Sequence, residues 1–153
     1  MTPPVGYNQI VQMFGNPTQP GFEAKYVVPI TLPYPLIFED AVGVRHVLLK
    51  IRCHKFLAGE IQACFQEIKD NNLQGLCGYF GGCYNVRPVR GVKTKLSTHA
   101  WAIALDLNPA TNPLGSIGDM DHQIIEIWEA HGFEWGGRWK RKDPQHFQFA
   151  RGY

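Results

Sequence analysis

No apolar run in this chain approaches the roughly 20 residues of a membrane-spanning helix, so membrane insertion is not expected. The first twenty residues lack both a basic start and an apolar stretch, and no secretory signal is expected. An excess of one charge is missing as well. Fifteen basic residues stand against 13 acidic ones for a net +2, too balanced to argue electrostatically for a nucleic-acid binder. Charged residues make up only 18%, too few for a disordered acidic or basic tail. The four cysteines form no Cys-x-x-Cys pair, which argues against a thiolate zinc site. What is present is an ordinary 44% apolar share in 153 residues, enough for one domain with a real core. A soluble single α-and-β domain over 1–153, made in the cytoplasm, is the expectation. Cys64 falls in an apolar helical stripe and reads as core, while Cys77 and Cys83 flank a glycine-rich bend and are expected as free thiols.

Seven of the eleven prolines fall in the first 35 residues. Proline fixes φ and removes a donor, so residues 1–43 are predicted to be an extended arm with short edge strands. Leu57, Ile61, Cys64, Phe65 and Ile68 then recur at helical spacing, predicting an amphipathic helix from Lys55 to Asp70 that stops at Asn71-Asn72 and Gly75. Leu76 to Val86 has the aromatic content of a strand, with Gly81-Gly82 marking a bulge or close backbone approach. Trp101 to Leu107 reads as the clearest strand, with Ile103, Leu105 and Leu107 on one side and Ala104 and Asp106 on the other. Asp119 or Asp121 can cap a helix carrying Ile124, Ile125, Ile127 and Trp128, ended by Gly132. Trp135-Gly136-Gly137 predicts a turn, Arg138 to Lys142 a basic loop, and His146 to Phe149 a last strand with Phe147 and Phe149 inward and His146 and Gln148 on the other face.

Two strands thus present chemistry-bearing side chains away from the core, Asp106 on one and His146 on the other, and Ser97-Thr98-His99 stands just before the first. Two histidines and one carboxylate are a usual protein set for a catalytic zinc with an open fourth position. On one flat strand, rising about 3.3 Å per residue, His99 and Asp106 would lie roughly 23 Å apart. Ligands of one metal need closer quarters, so the chain must fold back between them, and Ala100, Ala102 and Ala104 are small enough to allow it. His46, His54, His122 and His131 show no partner pattern and read as surface or core residues.

The stretch LSTHAWAIALDLN followed by GFEWGGRWKRKDPQHFQF resembles the zinc D-alanyl-D-alanine carboxypeptidase and L-alanyl-D-glutamate endopeptidase family, which has the hedgehog/DD-peptidase fold. The family's first motif, Ser-x-His-x-x-Gly-x-Ala-x-Asp, is matched by Ser97, His99, Ala104 and Asp106. Ala102 fills the glycine position, a departure expected to be tolerated if its φ stays negative. The second motif, an acid three residues before a histidine, is matched by Asp143 and His146 after the Trp-Gly-Gly-x-Trp turn. An arginine precedes the first motif in the family, and Arg87 in CYNVRPVRG occupies that place, with Arg90 as the fallback. The resemblance covers roughly residues 76–150 and is strongest to short, single-domain phage endolysins.

The resemblance implies an α+β fold, a small antiparallel sheet with helices packed on one face. It implies that His99, Asp106 and His146 hold Zn²⁺, which lowers the pKa of a bound water and polarises the scissile carbonyl. Asp143 is implied as general base, Arg87 as oxyanion donor or carboxylate clamp, and Ser97 as a substrate-side hydrogen-bonding residue. The expected substrate is the peptide stem of bacterial peptidoglycan, cut by an endolysin-type L-alanyl-D-glutamate endopeptidase. The alternatives are a D-Ala-D-Ala carboxypeptidase, a zinc-containing wall-binding module without turnover, or a wall-processing subunit of a virion or secretion device. A monomer is expected, with neither nucleic acid nor membrane as partner. It would be cytoplasmic when made and act at the cell wall during host lysis, after release by a membrane-permeabilising partner.

Overall fold

The computed structural model describes residues 1–153. Its centre is a four-stranded antiparallel sheet built from short strands: β3 (Phe80–Gly82), β6 (Ala104–Leu107), β7 (Glu134–Trp135) and β8 (His146–Gln148), in the spatial order β3-β6-β8-β7. Helix α4 (His122–Ala130) begins where the Asp121 carboxylate accepts from the Gln123 N–H at 2.9 Å, and Gly132, at φ 90°, follows its end. Its buried face sets Trp128 against Phe147 of β8, with ring centroids 5.6 Å apart. Helix α3 (Ala58–Asp70) buries Ile61, Cys64, Phe65 and Ile68, and Phe65 meets Trp128 edge to face at 5.3 Å. The helices thus share one core with the sheet, as expected of an α+β domain. No helix is long and apolar enough to cross a membrane.

A long hairpin, β1 (Val27–Glu39) with β2 (Arg45–His54), runs beside this core. Its register shifts between Thr31 and Leu36, where Pro33 and Pro35 have no N–H to give the ladder. A second small hairpin, β4 (Pro88–Val89) with β5 (Val92–Leu96), turns at Gly91, φ 84°.

Residues 1–43 are not an extended arm. Helices α1 (Gly6–Phe14) and α2 (Phe22–Tyr26) form between the prolines, and β1 is 13 residues long. Ile10, Phe14 and Phe22 supply the reason. All three are buried, and Phe14 packs on His54 and Phe149, so the segment is folded by contacts distant in sequence.

The Leu76–Val86 strand contracts to Phe80–Gly82. The close approach expected at Gly81 is present, since a Cβ there would come within 2.9 Å of the Asp106 Cβ. The Trp101–Leu107 strand is also shorter than its alternation suggests. Thr98–Trp101 forms a 3₁₀ turn, and Ala102 takes a left-handed conformation at φ 58°, so the negative φ on which tolerance of alanine there is conditioned is not met. Trp101 explains the difference. Its indole is buried against Tyr7 and Tyr153 and donates from Nε1 to the Gly15 carbonyl at 2.8 Å, a seat that a flat strand would not reach. All four cysteines are buried and unpaired.

Candidate active site

Asp106 and His146 are direct cross-strand partners on β6 and β8, which places their side chains on the same face of the sheet. His99 reaches them because the 3₁₀ turn and the left-handed Ala102 reverse the chain between residues 99 and 104. The Asp106 Oδ1 lies 3.2 Å from His99 Nε2 and 3.1 Å from His146 Nδ1. One ligand atom from each of the three residues falls within 4.8 Å of the others, a group that could hold a metal ion. Both histidines are nearly inaccessible, whereas the Asp106 side chain keeps 16% of its surface open.

The hydrogen bonds around the imidazoles leave a set of acceptors that suits a cation. His99 Nδ1 lies 2.7 Å from the Cys83 carbonyl, which can only accept, so Nδ1 carries the proton and Nε2 turns a lone pair toward Asp106. Gln148 donates its amide N–H to the Ala150 carbonyl, leaving Oε1 to accept from His146 Nε2 at 3.1 Å and from the Thr98 hydroxyl at 3.0 Å. His146 Nδ1 then also turns a lone pair toward the same carboxylate oxygen. Three acceptors facing one another at about 3 Å fit a metal ion and are unfavourable without one or added protons. Without a metal, protons on the imidazoles can take its place, and the ionisations shift accordingly. Burial pushes the Asp106 carboxyl up, but the two histidines outweigh it and hold the group far below the usual carboxylate range. Burial pushes His146 down, and the hydrogen bond and charge of Asp106 reverse this into a rise.

Asp143 stands beside this group. Its backbone carbonyl accepts from the His146 N–H and its N–H donates to the Gly136 carbonyl, both at 3.0 Å. The Trp135 indole donates to the Pro144 carbonyl at 2.7 Å, so the Trp-Gly-Gly turn grips the loop that carries the acid. Asp143 Oδ1 is buried with no hydrogen-bond partner, and burial, with the Asp106 charge adding to it, holds its carboxyl above the usual range against the opposing pull of His146. Trp139 covers His146 at 5.3 Å between ring centroids and is held by its indole N–H on the Glu134 carboxylate at 2.7 Å.

A cavity of about 230 Å³ opens over these groups and is lined by Arg87, Ser97, Asp106, Asp143 and His146, among others. A second, of about 900 Å³, continues past Asp106 toward Tyr79 and Arg45, and Arg90, Asp106 and Gln145 border both. The two cavities therefore adjoin at Asp106. Arg87 reaches the first cavity with only a local bond, to the Pro88 carbonyl at 3.2 Å. Ser97 caps the 3₁₀ turn through a long 3.4 Å contact from the His99 N–H while also lining the cavity. Thr98 and Gln148 are the functional side chains that sequence reasoning missed as site residues. The strand alternation that puts Gln148 on the His146 face was the available signal.

Residues 90–149, fewer than half of the chain, match a family model described as D-alanyl-D-alanine carboxypeptidase. Comparisons with curated proteins and with solved structures give no match. The matched segment contains His99, Asp106, Asp143 and His146 and excludes Arg87, and it supports a peptidase.

Proposed function

We propose that this protein is a zinc-dependent peptidase that hydrolyses an amide bond in the peptide stem of bacterial peptidoglycan. The observation that carries the reading is the convergence of His99, Asp106 and His146 beside a buried, unpartnered Asp143 oxygen at the floor of an open cleft. Zn²⁺ bound by the three side chains supplies an acidified water and a polarised scissile carbonyl. Asp143 Oδ1 takes the proton of the attacking water and passes it to the leaving amine. Its buried oxygen makes no competing hydrogen bond and so is open to take up and return a proton. Gln148 and the Cys83 carbonyl hold the imidazole tautomers, and Arg87, which lines the cavity, would meet developing negative charge or a substrate carboxylate. Ser97 supports the substrate edge of the cavity.

An endolysin-type L-alanyl-D-glutamate endopeptidase is favoured, because two cavities that adjoin at Asp106 leave room for chain beyond the reacting bond. The description of the matching family favours a second reading, a D-Ala-D-Ala carboxypeptidase. In the first reading the protein is stored in the cytoplasm and reaches the wall after a partner permeabilises the membrane.

Mass spectrometry of muropeptides after digestion separates the two. New D-glutamate amino termini that vanish with a chelator are expected, and release of free D-alanine alone would establish the carboxypeptidase instead. Asp143→Ala should retain zinc and lose roughly 10² to 10⁴ in rate, the usual contribution of a general base. Near-normal turnover in that variant would remove Asp143 from the reaction.

A further inference from the structure

The cavity over the site carries more positive charge than its chemistry uses. Arg87, Arg90, Lys95 and Arg141 line it, against two carboxylates, Asp106 and Asp143. Asp106 is occupied by the two histidines and Asp143 is reserved for proton transfer. The four cations have no acidic partner within salt-bridge distance, whereas Arg45, Arg52, Arg138 and Arg151 elsewhere on the molecule each have one.

These charges are also held together. Arg90 and Lys95 stand at the turn and on the return strand of the β4–β5 hairpin. Arg141, from the loop before Asp143, donates to the Arg90 carbonyl at 2.5 Å and so clasps that hairpin. The Lys95 ammonium rests 4.2 Å above the Tyr153 ring, which itself lines the cavity. Unpaired cations gathered in a concave site favour an anionic ligand, since binding it relieves their mutual repulsion.

We propose that Arg90, Lys95 and Arg141 form an anion-binding wall that selects stem peptides with free carboxylates over stems in which those carboxyls are amides. The proposal rests on the peptidase reading and goes beyond it by naming the form of the substrate. Stem peptides carry carboxyl groups that do not take part in the backbone, and amidation removes their charge while leaving shape nearly unchanged. A wall built from three cations distinguishes the two forms by charge alone. Arg87, nearest in role to the reacting bond, is not needed for the distinction.

The test compares kcat/KM of the zinc-loaded protein on one stem pentapeptide ending in D-Ala-D-Ala, with its side carboxyls free, and on the same peptide with those side carboxyls amidated. The free form is expected to be favoured at least about fivefold at low salt, the scale of a few partly exposed ion pairs, and less as added salt screens them. Equal values for the two peptides would overturn the wall while leaving the peptidase reading intact. In the double variant Arg90→Gln, Lys95→Gln the ratio should fall toward one, and an unchanged ratio would remove these residues from selection. Should neither peptide be cut, the peptidase reading fails, and calorimetric binding of both peptides to zinc-loaded Asp143→Ala protein still decides the wall. Tighter binding of the free form upholds it, and equal or absent binding overturns it.

Discussion

Asp143 sets reaction against stability within one side chain. Its carboxyl is held above its ordinary pKa by burial, so the folded chain binds that proton more tightly than the unfolded chain does. Above both pKa values the ionised group therefore costs folding free energy, and the cost fades as falling pH protonates it in the fold. An amide of the same shape carries no such cost. Asp143→Asn is expected to raise the Tm of the metal-free protein near pH 7, with the gain shrinking as the pH falls through the carboxylate range, and to abolish turnover. Thermal melts across that range check it. A lower Tm for the variant near neutral pH would mean that the carboxylate makes a stabilising contact. Gln148 shows the opposite economy at the same scale. It is uncharged and buried, and by accepting two hydrogen bonds while donating one it fixes a histidine tautomer with no charge of its own.

Among the elements, the short turn Gly136–Arg138 positions the acid more than any strand does. A Cβ on Gly136 would lie 2.6 Å from the Asp143 carbonyl oxygen and 3.2 Å from its Cβ, so the turn and the acid-bearing loop touch through the missing side chain. Gly136→Ala must push that loop away. Since a misplacement of about 1 Å can cost about 10² in rate, a fall of that order is expected with zinc still bound. Metal analysis beside kinetics checks this, and wild-type rates would show that the loop absorbs the methyl elsewhere. How far such elements can be read in the sequence depends on the distance over which they are decided. The stripes of α3 and α4 and the Asp121 cap are local, and they were legible. So was the alternation that puts His146 and Gln148 on one face of β8. The reversal at Ala102 was not, because Ala-Trp-Ala-Ile alternates like a strand while Tyr7, Gly15 and Tyr153 decide where Trp101 goes. Helix α1 was hidden by the prolines around it, although Ile10 and Phe14 have helical spacing. The candidate metal-ligand set His99, Asp106 and His146 could be proposed from the resemblance of its two motifs to a known family, not from spacing alone. The hydrogen-bond network that orients it could not, since Thr98 and Gln148 meet across 50 residues of chain.

For the whole molecule, the three side chains bring the 3₁₀ turn before β6 and the paired strands β6 and β8 to one point. A metal bound to the native site and not to the open chain stabilises the fold by mass action, about 4 kcal/mol at a thousandfold excess over Kd. For a domain of this size that corresponds to a Tm shift on the order of 10 °C. Chelation is expected to lower Tm by that amount, read by calorimetry with and without added zinc, and an unchanged Tm would mean that no metal is held there. The cysteines play no part in this balance. All four are buried, and burial pushes Cys53 and Cys77 up to about 12 and Cys64 and Cys83 upward as well. Thiols that stay protonated and enclosed are poor nucleophiles toward alkylating reagents. The native chain is thus a ready background for site-directed labelling. Ile117→Cys, at an exposed position, would give the one thiol open to a maleimide dye without first stripping the natural cysteines away.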